Sequence, residues 1–251
     1  MVNIFLRLLL GHLVGDFVLQ PLWLALSKRK GWQGLSLHVA IVVFVTAIMI
    51  WGVVSCWWFW VIVLFLLHLF IDQFRTFVFV DNSRGKGVVF FVLDQFAHVV
   101  SLAAISWLAT GRPPHPLETM LNASLPQSDM GLLLLCLLVA AIWVAPILEI
   151  ELVVAVMSYR QSAAEEGQTA EIEPIRLSDR MMGAAERLTG MALMMTNLGA
   201  AVMPLAFLPR FVWMRRQATS DNWRAVALKT GVSFLATLLM GMFLRGCLRI
   251  G

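Results

Sequence analysis

Charged residues are scarce in this chain of 251 residues. Only 14% of the residues are Asp, Glu, Lys or Arg, whereas a soluble globular domain carries about a quarter. Hydrophobic residues make up 60%, and the mean hydropathy is +0.82. Such a chain would expose too much apolar surface to remain in water. The low charge therefore excludes a soluble domain and predicts an integral membrane protein.

Cysteine is also rare, and its spacing excludes two common kinds of site. The three cysteines, Cys56, Cys136 and Cys247, lie far apart in or beside apolar segments, and there is no CxxC pair. We interpret them as small buried hydrophobic residues rather than as a disulfide or metal framework. The sequence has no P-loop, no G-x-S-x-G elbow and no His-Glu-x-x-His, so the common nucleotide, serine-hydrolase and zincin motifs are absent.

The net charge of +4 does not indicate a nucleic-acid partner. The basic residues cluster in short segments between apolar runs, for example at 27–30 and 84–86, and this pattern is typical of membrane topology. The expected partner is the lipid bilayer. A lipid-like substrate, a second copy of the chain or another membrane subunit are further candidates.

Apolar runs of about 20 residues are long enough to cross a bilayer as helices. We therefore expect an all-α polytopic transmembrane bundle with about seven spans, near residues 3–25, 34–56, 57–79, 87–110, 130–157, 181–208 and 225–247. Prolines predict a loop at 111–129, and a polar stretch predicts another at 158–180. The chain is thus divided into a four-helix amino-terminal bundle (1–110), the Pro-rich loop, and three further spans (130–251).

Lys and Arg in the connecting loops predict the orientation. Loops 26–33, 80–86 and 158–180 are basic, so we expect them inside and the amino terminus outside, in a bacterial inner membrane. The same alternation places the carboxyl terminus inside and the basic loop 210–224 outside, where it contradicts the rule. A re-entrant sixth segment would remove this conflict.

Four of the five histidines lie within predicted spans, and three of them have an aspartate one helical turn away. The pairs are His12 with Asp16, His68 with Asp72, and Asp94 with His98. Positions four apart lie on one face of a helix. His precedes Asp in the first and third spans and follows it in the fourth, where the chain runs in the opposite direction. This reversal predicts one layer of carboxylates beside one layer of imidazoles.

The predicted depth of these layers bears on their chemistry. A rise of 1.5 Å per residue places the three aspartates about 9–14 Å, the three histidines about 15–20 Å and His38 about 6 Å from the inner helix ends. Carboxylates at such depths need a cation or shared protons. Imidazole and carboxylate are common ligands of Zn, Fe and Mn, so we predict one or two such ions bound by the three pairs. Three separate hydrogen-bonded His–Asp pairs, or a proton relay, are the alternatives.

Other polar residues are given supporting roles. His38 is a candidate further ligand or general acid/base, and Glu149, which follows the kinking Pro146, is a second candidate base. Arg75 is expected to extend to the membrane interface. The residues expected to support the ligands by hydrogen bonds or ion pairs are Gln20, Gln73, Gln95, Glu186 and Arg187.

The leading functional hypothesis is an integral membrane metalloprotein, with a metal-dependent hydrolase of lipid or lipid-linked substrates as its favoured form. One alternative is a cation or proton transporter, because ionisable residues within the membrane mark such pathways. The outer halves of the first four spans are almost wholly apolar, which argues against a complete path. The other alternative is an accessory subunit in which the polar site is structural.

Three motifs resemble a known family. The run from Gly11 to Gln20 (GHLVGDFVLQ), together with HLFID at 68–72 and DQFAH at 94–98, is similar to the signatures of a bacterial membrane family, domain-of-unknown-function family 3307. The resemblance covers residues 1–105 well and continues weakly at 185–188. It implies a polytopic architecture and the same site residues, but no reaction. There is a fainter likeness to bacterial membrane proteins described as metal-dependent hydrolases.

Overall fold

The computed structural model describes residues 2–28, 30–78, 87–111, 127–162, 177–217 and 223–248. The predicted loops at 111–129 and 158–180 lie mostly outside these residues. No strand occurs among the described residues, so the prediction of an all-α polytopic bundle is confirmed. The contacts divide the chain into two compact units. Unit 1 comprises 1–82 and 89–139, and unit 2 comprises 83–88 and 140–251.

The helices are, in order, α1 (Val2–Leu13), α2 (Leu22–Lys28), α3 (Trp32–Ile50), α4 (Trp57–Gln73), α5 (Gly87–Thr110), α6 (Gln127–Val139), α7 (Ala145–Ser162), α8 (Leu177–Met194), α9 (Gly199–Val202), α10 (Leu208–Gln217) and α11 (Trp223–Leu248). Three π-helical segments follow α1, α4 and α6, at Val14–Val18, Phe74–Val78 and Ala140–Val144. A 3₁₀ segment, Met203–Phe207, precedes α10.

Five stretches are long and apolar enough to cross a membrane: Trp32–Ile50, Trp57–Thr76, Gly87–Thr110, Asp129–Val156 and Trp223–Leu248. Large apolar side chains on them point outward, among them Phe44, Phe70 and Phe96, each more than 60% exposed. This apolar exterior is typical of helices in contact with lipid. Two of the predicted spans, the first and the sixth, have a different form.

The first predicted span, 3–25, is bent. Val2–Val18 and Leu22–Lys28 meet at 96°, so they form a broken span or a re-entrant element. The helix stops where Pro21, which lacks an N–H donor, opens the first turn of α2. The bend turns α2 back against α3. A Cβ at Gly34 would lie only 2.3 Å from the Ser27 carbonyl, so glycine permits this close approach.

The sixth predicted span, 181–208, is not one helix. The described residues therefore contain fewer than the seven continuous spans that were predicted. Helix α8 ends at Met194, and the chain reverses through α9 and the 3₁₀ segment into α10. A Cβ at Gly199 would lie 2.3 Å from the Leu193 carbonyl oxygen, so the turn requires glycine. Pro204 and Pro209 begin the segments after this turn, where an N–H is not needed.

Unit 1 is held together by the close packing of α1 on α3. A Cβ at Gly11 would lie 2.6 Å from Thr46 Cα, and one at Gly15 would lie 2.6 Å from Val42 Cα. These two glycines form a G-x-x-x-G pattern, which lets helix backbones approach in membranes. An apolar core beside this contact includes Leu8, Leu35, Val39, Val43, Ile50, Leu64, Leu102 and Ile105.

Unit 2 contains a hairpin of α8 and α10 packed beside α11. Arg210 of α10 contacts Asp179 and Glu186 of α8, so α10 runs back along α8. Helix α11 runs parallel to α8, because Lys229 lies beside Asp179 near its start and Gly241 faces Met194 near its end. The end of α10 and the starts of α8 and α11 therefore lie at one end of this group of helices.

This hairpin predicts a membrane sidedness that differs from simple alternation. We expect cysteines introduced at Ser178 and Arg216 to be labelled from one side of the membrane, and a cysteine at Leu248 from the other. All three positions are exposed. The measurement is labelling by an impermeant maleimide in intact cells and in inverted vesicles, after the native cysteines have been replaced by alanine. Labelling of Ser178→Cys and Arg216→Cys from opposite sides would contradict the re-entrant arrangement.

Candidate metal centre

Seven side chains of unit 1 form a buried group, which we call the His/Asp cluster: His12, Asp16, His38, His68, Asp72, Asp94 and His98. Every member is at most 6% exposed. Helices α1, α3, α4 and α5 each contribute to it, and Asp16 lies in the π-helical segment after α1. π-Helical turns are rare and occur frequently at functional sites. The cluster contains all six residues predicted to bind metal, and it also contains His38.

The four imidazoles lie against one another. Ring centroids are 4.8 Å apart for His12 and His98, 4.2 Å for His68 and His98, and 5.7 Å for His38 and His68. His98 Nδ1 lies 2.9 Å from the backbone carbonyl oxygen of Asp94. Because a carbonyl oxygen can only accept a hydrogen bond, this contact requires a proton on Nδ1. In that tautomer Nε2 of His98 keeps its lone pair free, as a metal-binding imidazole requires.

Few ring nitrogens of the cluster have hydrogen-bond partners. Within one helix, His and Asp atoms are 3.7–3.9 Å apart, which is too long for a hydrogen bond. Seven of the eight ring nitrogens of the cluster have no partner with hydrogen-bond geometry; only Nδ1 of His98 has one. Buried polar atoms without partners are rare, and each needs an explanation.

The carboxylates approach the histidines of neighbouring helices more closely. His38 Nε2 lies 2.9 Å from Asp16 Oδ1 and 3.2 Å from Asp72 Oδ2, although neither contact has hydrogen-bond geometry. His38 is fully buried, although its place near a helix end predicted a position close to the surface. In each of three triads, one ligand atom per residue lies within 4.8 Å of the others: His12/His68/His98, Asp16/His38/His68 and Asp72/Asp94/His98.

Two cations enter the cluster that the sequence analysis did not assign to it. Lys28 Nζ lies 3.2 Å from Asp72 Oδ2, and Arg75 Nη1 donates to Asp94 Oδ2 at 2.8 Å. Lys28 was interpreted only as part of a basic loop, but the bend before α2 points it inward. Arg75 was expected to extend to the interface. It also contacts Asp94, with 29% of its side chain still exposed.

The three glutamines do not behave alike. Gln95 Nε2 donates to Asp94 Oδ2 at 3.0 Å and lies 3.5 Å from Asp16 Oδ2, so it links two carboxylates. Gln20 Nε2 has no partner among the described residues, and Gln73 is partly exposed. Among the described residues, Gln95 is therefore the glutamine seen to donate to the cluster carboxylates.

The remaining predicted site residues belong to a separate group in unit 2, which we call the Arg/Glu network: Glu149, Asp179, Glu186, Arg187, Arg210, Lys229 and Ser233. Arg210 contacts Glu186 at 2.6 Å, Glu149 at 3.0 Å and Asp179 at 3.3 Å. Arg187 is fully buried and pairs with Glu149. Three acidic and three basic side chains balance in charge. Because both Glu149 oxygens accept from guanidinium groups, its contacts do not favour a role as a free base.

A backbone feature explains the position of Arg187. Its Nε donates to the Ala141 carbonyl oxygen at 2.6 Å. Ala141 lies in the π-helical segment, where a carbonyl accepts from the residue five positions later. That residue is Pro146, which has no N–H. Arg187 therefore satisfies a carbonyl for which the π-helical hydrogen-bonding pattern provides no donor.

Comparison with known families supports the resemblance found in the motifs. Residues 4–121 match the family described as protein of unknown function (DUF3307). Comparisons with curated proteins and with solved structures give no match. The matched range includes every member of the His/Asp cluster as well as Lys28, Arg75 and Gln95. Residues 4–121 are therefore similar to the DUF3307 family, whose function is unknown.

Proposed function

We propose that the chain is an integral membrane metalloprotein in which the His/Asp cluster binds one or two divalent transition ions, Zn, Fe or Mn. The ligands are His12, Asp16, His68, Asp72, Asp94 and His98. The observation that carries this proposal is the set of ring nitrogens without partners, converging with carboxylates from different helices. A cation would satisfy these atoms together, whereas separate His–Asp hydrogen bonds would need shorter distances than 3.7–3.9 Å.

The favoured activity is hydrolysis of an ester or phosphoester in a lipid or lipid-linked substrate. A bound divalent ion supplies a nucleophilic water at neutral pH and polarises the substrate oxygen. His38 lies between Asp16 and Asp72, so it is the candidate to accept and return the proton of that water, or to serve as a further ligand. We place the protein in a bacterial inner membrane with its amino terminus outside, as the basic loops predict.

The first test is the metal content of protein purified in detergent without chelator. We expect about one or two equivalents of Zn, Fe or Mn by elemental mass spectrometry. Asp16→Asn and His68→Ala are each expected to lower the affinity by about tenfold or more, because each removes a ligand. A wild-type protein that binds no transition metal would refute the proposal.

Two variants serve as matched controls. Asp129→Asn makes the same change at a buried carboxylate of unit 1 that accepts a hydrogen bond from Asn3. Asn3 lies nine residues before His12 on α1, which is about 13 Å along the helix. His115→Ala removes the fifth histidine of the sequence, on which the proposal does not depend. Both controls are expected to keep the wild-type metal content.

A further inference from the structure

The charges of the His/Asp cluster do not balance once a divalent ion is bound. Asp16, Asp72 and Asp94 bring three negative charges, and Lys28 and Arg75 bring two positive ones. With neutral imidazoles the protein groups sum to one negative charge. One divalent ion changes this sum to one positive charge, and two ions make it more positive still.

A net positive charge is unfavourable in this environment. The ligands are buried among helices, where an uncompensated charge costs several kcal/mol. Among the residues that the structure describes, no further Asp or Glu makes an ion pair with Lys28, Arg75 or a cluster histidine. A hydroxide formed from the bound water, or a singly charged anion that replaces it, would restore neutrality with one divalent ion.

Arg75 gives such an anion access to the cluster, and Lys28 lies deeper, with 11% of its side chain accessible. Arg75 is the more exposed, with 29% of its side chain accessible, and Lys28 ends the short helix α2. The outer face of α2 is apolar: Leu22 is 75% exposed, Trp23 60% and Leu26 50%. Its inner face carries the fully buried Leu24 as well as Lys28. A short helix with an exposed Trp and an apolar outer face fits the membrane interface, at the level of lipid headgroups.

We propose that Lys28 and Arg75 form the recognition site for a singly charged phosphodiester, which is the headgroup chemistry of the substrate of the metal centre. This inference rests on the proposed function. One negative charge restores neutrality with one divalent ion. A guanidinium can donate to both non-bridging oxygens of a phosphodiester, and an ammonium group can share one of them as a point charge. Binding of the phosphodiester would draw both cations partly away from Asp72 and Asp94. These two carboxylates could then bind the metal ion.

The source of the phosphodiester is a lipid or a water-soluble ester, and one experiment distinguishes them. The protein is loaded with Co²⁺, whose visible absorption reports changes in its coordination. Three probes are titrated in detergent: dimethyl phosphate, short-chain phosphatidylglycerol, and short-chain diacylglycerol as the uncharged control. We expect saturable spectral changes with phosphatidylglycerol and none with diacylglycerol. A matching response to dimethyl phosphate identifies a soluble ester as sufficient.

Variants assign the response to the two cations. Lys28→Gln and Arg75→Gln are each expected to raise the dissociation constant of the anion by about tenfold, with unchanged Co²⁺ stoichiometry. Arg7→Gln is the control, because Arg7 donates to Asn3 and to the Met49 carbonyl instead. If Co²⁺ binds but neither phosphodiester changes the spectrum, or if both variants respond as the wild type does, this inference is overturned. If Co²⁺ does not bind, the proposed function itself fails.

Discussion

Replacing Arg187 by methionine is expected to lower the free energy of unfolding by about 3–5 kcal/mol, the usual cost of removing one partner from a buried ion network. Methionine keeps much of the length and volume of the side chain. It leaves the Ala141 carbonyl without its donor and removes one of the two guanidinium partners of Glu149. Reversible denaturation in detergent, followed by circular dichroism, measures the change.

Two further variants make this prediction specific. Arg180→Met is the matched control on the same helix, because Arg180 lies over the Trp143 ring at 5.9 Å and is only partly buried. Its expected cost is about 1 kcal/mol or less. The double variant Glu149→Gln/Arg187→Met should lose less stability than the sum of its single variants, because it removes both charges together. If Arg187→Met were as stable as Arg180→Met, the network would not have the structural role assigned to it.

The second large effect is expected at Gly15. Gly15→Ala adds only a Cβ, but this atom would lie 2.6 Å from Val42 Cα, so α1 and α3 must separate. Such overpacking typically costs about 1–3 kcal/mol. Asp16 is the next residue and contacts His38 across this interface at 2.9 Å, so the metal content is also expected to fall. Thermal denaturation and elemental analysis of the same preparation measure both effects.

Gly131 provides the control for this substitution. It lies in α6 of unit 1, and a Cβ there would meet no atom within 4 Å. Gly131→Ala is therefore expected to be neutral or to stabilise the protein by up to about 1 kcal/mol, because alanine favours a helix. Equal stability of Gly15→Ala and Gly131→Ala would show that α1 and α3 do not pack as closely as described.

The predictions from the sequence were most successful for features that depend only on residues close together in the chain. Composition and run length identified membrane-spanning helices, because the bilayer sets both. The spacing of His12 and Asp16 placed two polar groups on one helix face, since a helix repeats about every 3.6 residues. The motifs at 11–20, 68–72 and 94–98 predicted the family whose model matches residues 4–121. None of these inferences needs a partner helix.

The predictions failed where one helix depends on another. The count of seven spans treated 181–208 as continuous, although Pro204 and Pro209 were visible signals of a break. Arg75 was expected to extend to the interface and was given no partner, whereas it donates to Asp94 of another helix. The G-x-x-x-G pattern at Gly11 and Gly15 was a further signal, because it favours close packing of α1 on another helix.

The sequence alone determined that this protein is helical and polytopic, and it identified the three His/Asp pairs, because hydrophobicity and helical periodicity act along a single chain. Only the tertiary structure decided that His38 lies between Asp16 and Asp72, that Lys28 and Arg75 enter the cluster, and that α8 and α10 form a hairpin. These features depend on a bend, on two glycines in a helix contact and on proline positions. Each of these features determines which residues from distant parts of the chain come into contact. The spacing of residues along a single helix does not contain that information.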